Sequence, residues 1–460
     1  MANLLDLPPE LVIQVITESL PEGFESLALS CKAIHQLCKP FIEHHNLLRT
    51  QILLERIADE PIVARYIQHA SFFSDGHPFA SPVADPVCGS PIAALFADSF
   101  YLRDAGLDWR EYHALIAADY AITAARPFSQ HAAAFILTLL PNLKSLELPE
   151  LWDPTDSSDK LLNTVVIKAR QLNTAPQQQY SSSLAQIASL KSCVDWAHDP
   201  FRIRVLPFLA LPKLRCYEGP TPEAVSTSSL GDVVFGEKLE IAWMLGYPIE
   251  EPAMADLLRS ARRLRTFVYT PGRMRDIQNW DICRFLHMVD RAAGSRLERL
   301  SISSGSMMEP GHVSLRGFQR LQKLRLPLGF FECIISYAAS RINKSVEDLT
   351  DSDIETLEVK LGDLIPASVP KLELCNVRRV SNHGKVLKVL FHGFSAMKAS
   401  QLPALEKVVF LNLQEWMSPG CKSASEKLLS KNEPTGVVIT IDDDSPSFYN
   451  AEWRGQLDYW

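Results

Sequence analysis

Few residues of this 460-residue chain stand at spacings that suit chemistry. Glu43-His44-His45 has donor types a metal uses. Adjacent histidines at the end of a helical stretch point to different faces, however, and the group reads as a solvated C-terminal turn. The nine cysteines (31, 38, 88, 193, 216, 283, 333, 375 and 421) are scattered and never form a Cys-x-x-Cys pair. They supply no zinc knuckle and suit reduced thiols of an intracellular protein, with Cys31 and Cys38 as small core residues. No phosphate-cradling Gly-rich loop, Gly-x-Ser-x-Gly elbow or His-Glu-x-x-His helix occurs. Asn343-Lys344-Ser345 matches a glycosylation sequon, which has meaning only in an exported chain. The expectation is a chain with no catalytic, cofactor-binding or metal-binding residue, not an enzyme.

The charged residues with the most suggestive spacing are Arg259, Arg262, Arg263, Arg265, Arg273 and Arg275. The first three fall at helical spacing near the end of an apolar helical pattern, where cations favour the helix dipole. A second reading is a basic rim that captures an acidic or phosphorylated segment.

Composition narrows the partners. Apolar residues make up 47% and charged residues 22%, as in an ordinary globular chain long enough for two or three domains or one elongated repeat domain. A formal net charge of −8 argues against a nucleic-acid partner. The longest strongly apolar run, near Ala132–Leu140, is too short to span a bilayer. The N-terminus carries Asp6, Pro8, Pro9 and Glu10 where a signal peptide is apolar. The expected location is cytoplasmic and/or nuclear, with no membrane contact.

The elements begin with three short amphipathic helices in residues 1–46. Pro8 and Pro9 suit a helix start, with Asp6 placed to cap it. Leu11, Val12, Val15 and Ile16 recur at helical spacing until Pro21-Glu22-Gly23 stops them. Phe24, Leu27 and Ala28 make one short turn. Ile34, Leu37, Cys38, Phe41 and Ile42 then form a one-sided stripe. So small a unit rarely stabilises itself, which suggests a docking module carried by a larger body.

The ordered set Leu7-Pro8-Pro9-Glu10-Leu11, Ile16, Leu20-Pro21, Leu27, Leu29 and Cys31-Lys32 resembles the F-box, which joins substrate receptors to the Skp adaptor of SCF-type ubiquitin ligases. The resemblance covers about a tenth of the chain. It implies adaptor-contact roles for Leu7, Pro8, Pro9, Leu11, Ile16, Leu20, Leu27 and Cys31, and a cullin ligase bound through the adaptor. Ser30 stands where the family usually has an aliphatic residue, and Ile34 where it often has an aromatic one. The alternative is an ordinary helical subdomain folded onto the rest.

Residues 47–125 read as a helical connecting region, broken by the Gly/Pro cluster over Ser74–Pro91. From 126 to 430 a Leu-x-x-Leu-x-Leu pattern takes over. Its words begin at Leu143, Leu214, Leu264, Leu297, Leu321, Ile354 and Leu405, and their alternate apolar residues suit short strands with one buried face. Helical stripes precede several of them: Phe128 to Leu140, Met254 to Ala261, and Ile282 to Val289. The words are 71, 50, 33, 24, 33 and 51 residues apart. Leucine-rich repeats run roughly 20–29 residues, so the gaps near 50 and 71 hide two or three repeats. Leu151 and Leu413 stand where an asparagine or cysteine usually closes the turn. The pattern resembles the irregular leucine-rich arrays found behind F-boxes. The expected fold class is therefore α/β: a three-helix F-box, then a leucine-rich-repeat-like solenoid of alternating helices and short parallel strands. The alternative is a non-repetitive α/β domain.

Polar stretches at Asp153–Lys160, Asn173–Ser183 and Glu218–Ser229 read as surface loops. Residues 431–460 read as a C-terminal tail with a possible edge strand at Val437–Ile441. The part with Trp453, Tyr459 and Trp460 is suited to packing back onto the body.

Strand side chains alternate, so residues between the inward leucines line the opposite face. Those at Glu298, Arg299, Ser301, Gln322, Lys323 and Arg325, with Arg263 and Arg265 flanking Leu264, give a mainly basic surface. Arg265, Arg299 and Arg325 are the expected contacts for an acidic segment of an unknown target protein. The functional expectation is a substrate receptor of an SCF-type ubiquitin ligase. An F-box-bearing scaffold outside ubiquitination and an enzyme with an unrecognised site are the rivals.

Overall fold

The computed structural model describes residues 7–8, 11–12, 14–15, 34, 50–72, 91–121, 129–149, 152–174, 182–192, 205–221, 234–246, 251–271, 281–303, 310–375, 382–411, 421–432 and 435–442. They fall into two compact units, the first built mainly from residues 1–195 and 202–214, the second from 215–228 and 234–460.

The first unit carries helices α1 (Thr50–Asp59) and α2 (Val63–Tyr66), strand β1 (His69–Ser71), and helices α3 (Pro91–Ala97), α4 (Phe100–Asp104), α5 (Trp109–Ala121) and α6 (Gln130–Leu139). Strand β2 (Ser145–Leu148), helix α7 (Asp156–Thr174), strand β3 (Ser189–Ser192) and helix α8 (Leu206–Leu209) follow. β1, β2 and β3 pair in parallel, Ala70 beside Leu146 and Leu146 beside Leu190. α6 starts where Ser129 accepts the amide of Ala132, and nearly its whole circumference is buried. That accounts for a run too apolar for a surface helix.

The second unit is an ordered parallel array. β4 (Cys216–Pro220) and β5 (Ile241–Gly246) lead to α9 (Glu251–Ser260), β6 (Thr266–Pro271), α10 (Ile282–Ala293), β7 (Arg299–Ile302), β8 (Lys323–Pro327) and α11 (Leu328–Ser340). Then come α12 (Asp351–Thr356), α13 (Leu361–Leu364), β9 (Lys371–Cys375), α14 (His383–Leu390), α15 (Phe394–Ser400), β10 (Lys407–Leu411), α16 (Cys421–Asn432) and β11 (Val438–Asp442). Each strand pairs in parallel with the next in sequence, from β4 to β11. Leu300 sits beside Leu324 in neighbouring parallel strands, as the Leu-x-x-Leu words require.

The register shows what the pattern does. Phe267, Leu300, Leu324, Leu372 and Val408 form one rung across five strands. All five are fully buried. The rung two residues on contains Tyr269 and Phe410, which meet Phe285 of α10 and Phe391 after α14 at ring separations of 4.7 and 6.3 Å. This is the helix-facing side. Burying each such side chain contributes about 1.5–3 kcal/mol. A leucine three residues ahead of the first rung closes a tight turn: Leu214, Leu239, Leu264, Leu321 and Leu405 each donate their amide to the carbonyl three residues back. The repeat is therefore apolar-x-x-Leu-x-x-apolar-x-apolar.

The spacing resolves accordingly. The gap between the words at 143 and 214 hides β3, and that between 214 and 264 hides β5. Tyr217, Ala242 and Phe267 follow at steps of 25 residues, within the length of a leucine-rich repeat.

Several expectations are corrected. The word at Ile354 is not a strand: Thr350 caps α12 in a reciprocal capping box with Asp353, and the acidic first turn favours helix. The strand in that part of the array is β9, at Lys371-Leu372-Glu373-Leu374-Cys375. Asp153–Lys160 is not wholly loop, because Asp156 and Asp159 open α7. Ser182 and Ser183, at the end of the expected loop Asn173–Ser183, are buried, and Ser183 Oγ donates to the carbonyl of Thr138 at 2.5 Å. Glu218 is buried within β4. Residues 47–125, expected helical, include β1. The expected edge strand at Val437–Ile441 is β11, pairing in parallel with β10.

Candidate functional site

Two surfaces carry the residues singled out in the sequence. At the N-terminus, the amides of Leu11 and Val12 donate to the carbonyl of Pro8, so a helical turn begins at the proline as its fixed φ favours. Leu7, Leu11 and Val15 follow at four-residue steps and are exposed to 37%, 46% and 37%, while Val12 and Ile34 are buried to 3% and 1%. Val12 of this helical turn is thus inside, while Leu11 and Val15 of the turn and Leu7 just before it are left in water. Of the expected adaptor contacts, Leu7, Pro8 and Leu11 are described. Pro9, Ile16, Leu20, Leu27 and Cys31 lie outside the described residues.

The second surface is the face of the second unit's strands turned away from the helices. In one register row stand Arg299, Lys323, Lys371 and Lys407, a cation on each of four consecutive strands. The next row runs Trp243, Val268, Ser301, Arg325, Glu373 and Val409 across six strands. Glu373 is the centre of charge. Its carboxylate accepts from Arg325 Nε at 2.6 Å and pairs with Lys323 Nζ at 3.1 Å and Lys371 Nζ at 3.0 Å. Burial pushes this carboxyl up, but the neighbouring cations outweigh burial and hold it at about 2.

The structure brings Arg299 and Arg325 to this face on adjacent strands. Arg325 is buried against Glu373, so it holds the sheet surface together rather than projecting from it. Arg265 lies one residue before β6, exposed, 3.7 Å from Glu298. Lys371, Glu373 and Lys407 were missed by the sequence reading. Their signal is present, because β8, β9 and β10 all open with lysine followed by an inward aliphatic residue: Lys323-Leu324, Lys371-Leu372, Lys407-Val408.

A third cluster, in the first unit, has the form of an acid–imidazole–hydroxyl chain. Asp119 Oδ2 lies 2.8 Å from His131 Nδ1, and His131 Nε2 lies 2.7 Å from Thr155 Oγ1. Asp119 also accepts from Ser129 Oγ and from the amide of His131 at the start of α6, and Thr155 precedes the first turn of α7. These are the bonds of helix starts, and the chain ties the starts of α6 and α7 to the end of α5.

Among the described residues no group of three or more His, Cys, Asp or Glu is placed to hold a metal ion. No described helix is long and apolar enough to cross a membrane. The chain matches no known family profile and no curated protein. Among solved structures it is similar to a chain of the yeast Rad7 and Elc1 complex, at 13% identity and a TM-score of 0.23, covering 62% of this chain and 73% of that one.

Proposed function

We propose that the chain is a substrate receptor of an SCF-type ubiquitin ligase. Residues 1–46 dock on the Skp adaptor and through it on a cullin, and the helix-averted strand face of the second unit holds a target protein. The receptor does no covalent chemistry itself and works by raising the effective concentration of a target lysine near a ubiquitin-charged enzyme. It acts in the cytoplasm and/or nucleus.

One observation carries this reading: the bare aliphatic residues at and before the N-terminal helical turn. Leu7, Leu11 and Val15 stay in water while Val12 and Ile34 of the same small module are inside. A fold that only needed its own core would have no use for three aliphatic side chains left in water at four-residue steps. Leu7 and Leu11 are also residues that carry the F-box resemblance.

The test is the Leu7→Ala/Leu11→Ala double variant, with adaptor affinity measured by calorimetry or co-purification. Each apolar side chain buried in the complex is worth about 1.5–3 kcal/mol, so affinity should drop at least about a hundredfold. Because both side chains are exposed in the free chain, its melting temperature should hardly move. Unchanged adaptor affinity removes the receptor reading.

A further inference from the structure

The ends at which β5, β6, β7 and β8 enter the sheet carry charge in two rows of opposite character. The ladder continues one residue ahead of the strands: the amides of Arg265, Glu298 and Gln322 donate to the carbonyls of Glu240, Arg265 and Glu298 at 2.9, 2.8 and 2.7 Å. This row balances itself. Glu240 pairs with Arg215 at 2.8 Å, and Arg265 lies 3.7 Å from Glu298. Two residues earlier, across the turn leucines Leu239, Leu264, Leu297 and Leu321, the register sets Lys238, Arg263, Arg296 and Arg320 side by side. That is a cation on each of four consecutive strands. The turns at 236–239, 260–264, 293–297 and 317–321 hold these four and Arg262, against one carboxylate, Glu237. Asp290 of α10 reaches in from the helix side, packed against Gly294 and Gly317, and leaves the excess positive.

Helix ends account for only part of this row. The Arg296 guanidinium donates to the carbonyls of Leu258, of Ala261 at 3.2 Å and of Ala292 at 2.9 Å. One fixed cation thus serves carbonyls at the ends of both α9 and α10, and its charge meets no carboxylate there. Arg259 pairs with Asp256 on its own helix. Arg262, Arg263 and Arg320 lie in the turns beyond the helices and are exposed. Among the described residues none of these three has an ion pair. Of the arginines singled out by spacing, Arg273 and Arg275 lie outside the described residues.

We propose that this strand-entry edge of β5 to β8 is a binding surface for a short acidic segment of a partner protein. Three strand spacings give it a length of about 14 Å, which about four extended residues cover. Guanidinium groups suit carboxylates, which they meet with two parallel hydrogen bonds. A long polyanion is a poorer match, because the chain as a whole carries a formal charge of −8. The edge is separate from the strand face assigned above to a target, and binding there needs no adaptor.

The experiment measures fluorescence anisotropy of a fluorescein-labelled hexa-aspartate peptide with the full-length chain at low ionic strength. The Arg262→Glu/Arg263→Glu/Arg320→Glu variant should bind at least about tenfold more weakly. Arg262→Gln/Arg263→Gln/Arg320→Gln should lose less and keep the melting temperature of the wild type, as exposed side chains allow. Arg103→Glu/Arg110→Glu/Lys160→Glu makes the same change in net charge at exposed sites of the first unit. It and the strand-face variant Arg299→Ala/Lys407→Ala should each stay within about twofold of wild type. An equal loss in the first-unit variant means that net charge alone attracts the peptide, and the proposal fails. A loss confined to the strand-face variant places the acidic segment on that face, and the proposal fails equally. No binding by the wild type, or tighter binding of a thymidine oligonucleotide of equal charge, overturns it as well. The readout contains no adaptor, so its outcome is independent of the receptor reading.

Discussion

In the first unit a half-buried carboxylate, Asp119, joins helix ends; in the second a fully buried one, Glu373, joins strands. Both are ionised against the pull of burial, by different means. Asp119 is held down by hydrogen bonds from His131 and Ser129, which outweigh burial, and it keeps access to water. Glu373 is held down by Arg325, Lys323 and Lys371, with its side chain 2% exposed. The first arrangement uses caps that each helix start needs anyway. The second brings full charges into the sheet surface, where removing one leaves the others uncompensated. A surface built this way has a buried ion cluster at its centre and is basic along its margin.

The largest expected effect follows from that asymmetry. Glu373→Leu leaves Arg325 and Lys323 buried without their carboxylate, and should lower unfolding stability by about 3–5 kcal/mol in denaturant titration. The Lys323→Met/Arg325→Met/Glu373→Leu triple variant should regain most of it, because a well-packed apolar group replaces the ion cluster. A single variant within 1 kcal/mol of wild type would show that water already reaches Glu373. The same logic constrains the surface itself: reversing Arg325 would set a glutamate against Glu373 and unfold the sheet locally. Target binding is therefore better probed at Arg299 and Lys407, which flank the cluster.

The two units also differ in how far they could be read from sequence. The array was legible where a leucine closes a turn and the strand alternates, at β2, β4, β6, β7, β8 and β10. β5 was missed because Ile241-Ala242-Trp243-Met244-Leu245 is apolar on both sides and shows no period of two. β1 spans only three residues, and β3, Ser189-Leu190-Lys191-Ser192, has a single aliphatic residue and so no alternation to read. Ile354 misled because its apolar spacing suits a strand, while the Thr350–Asp353 capping box, a local signal, decides for helix. On the candidate face Arg299 and Arg325 were legible from alternation. Glu373 was not, because its strand was assigned elsewhere. The Asp119–His131–Thr155 chain had no sequence signature: its members are brought together only by the packing of α5, α6 and α7.

A smaller effect is expected in the first unit. Asp119→Ala removes the acceptor for Ser129 Oγ and for both the amide and ring nitrogen of His131. Hydrogen bonds to a charged group are worth about 1.5–3 kcal/mol, and the partial exposure of Asp119 lets water replace part of this. The net loss should be about 1–3 kcal/mol. Hydrogen exchange should locate it in α5, α6 and the start of α7, leaving the amides of β8, β9 and β10 as protected as in wild type. Equal deprotection of β9 would mean that the two clusters do not respond independently.

The smallest effect separates the carboxylates by pH. Both have folded-state values depressed below the unfolded range, so each adds stability that is complete above the ordinary carboxylate range and is lost as pH falls through the folded value. For Glu373 that window runs from its ordinary 4.5 down to about 2. Glu373 itself should therefore contribute no change between pH 7 and pH 5.5. At pH 3.5 the unfolded chain has taken up most of a proton that folded Glu373 refuses, which costs about 1 kcal/mol relative to neutral pH. The triple variant lacks this carboxylate but retains Asp119. Its stability should thus fall by about 1 kcal/mol less than that of wild type over the same interval, when both are measured by denaturant titration at matched ionic strength. Parallel acid profiles would mean that the acid sensitivity of the chain lies in carboxylates outside the sheet. The contrast between a buried ion cluster and a capping network would then have no counterpart in proton uptake.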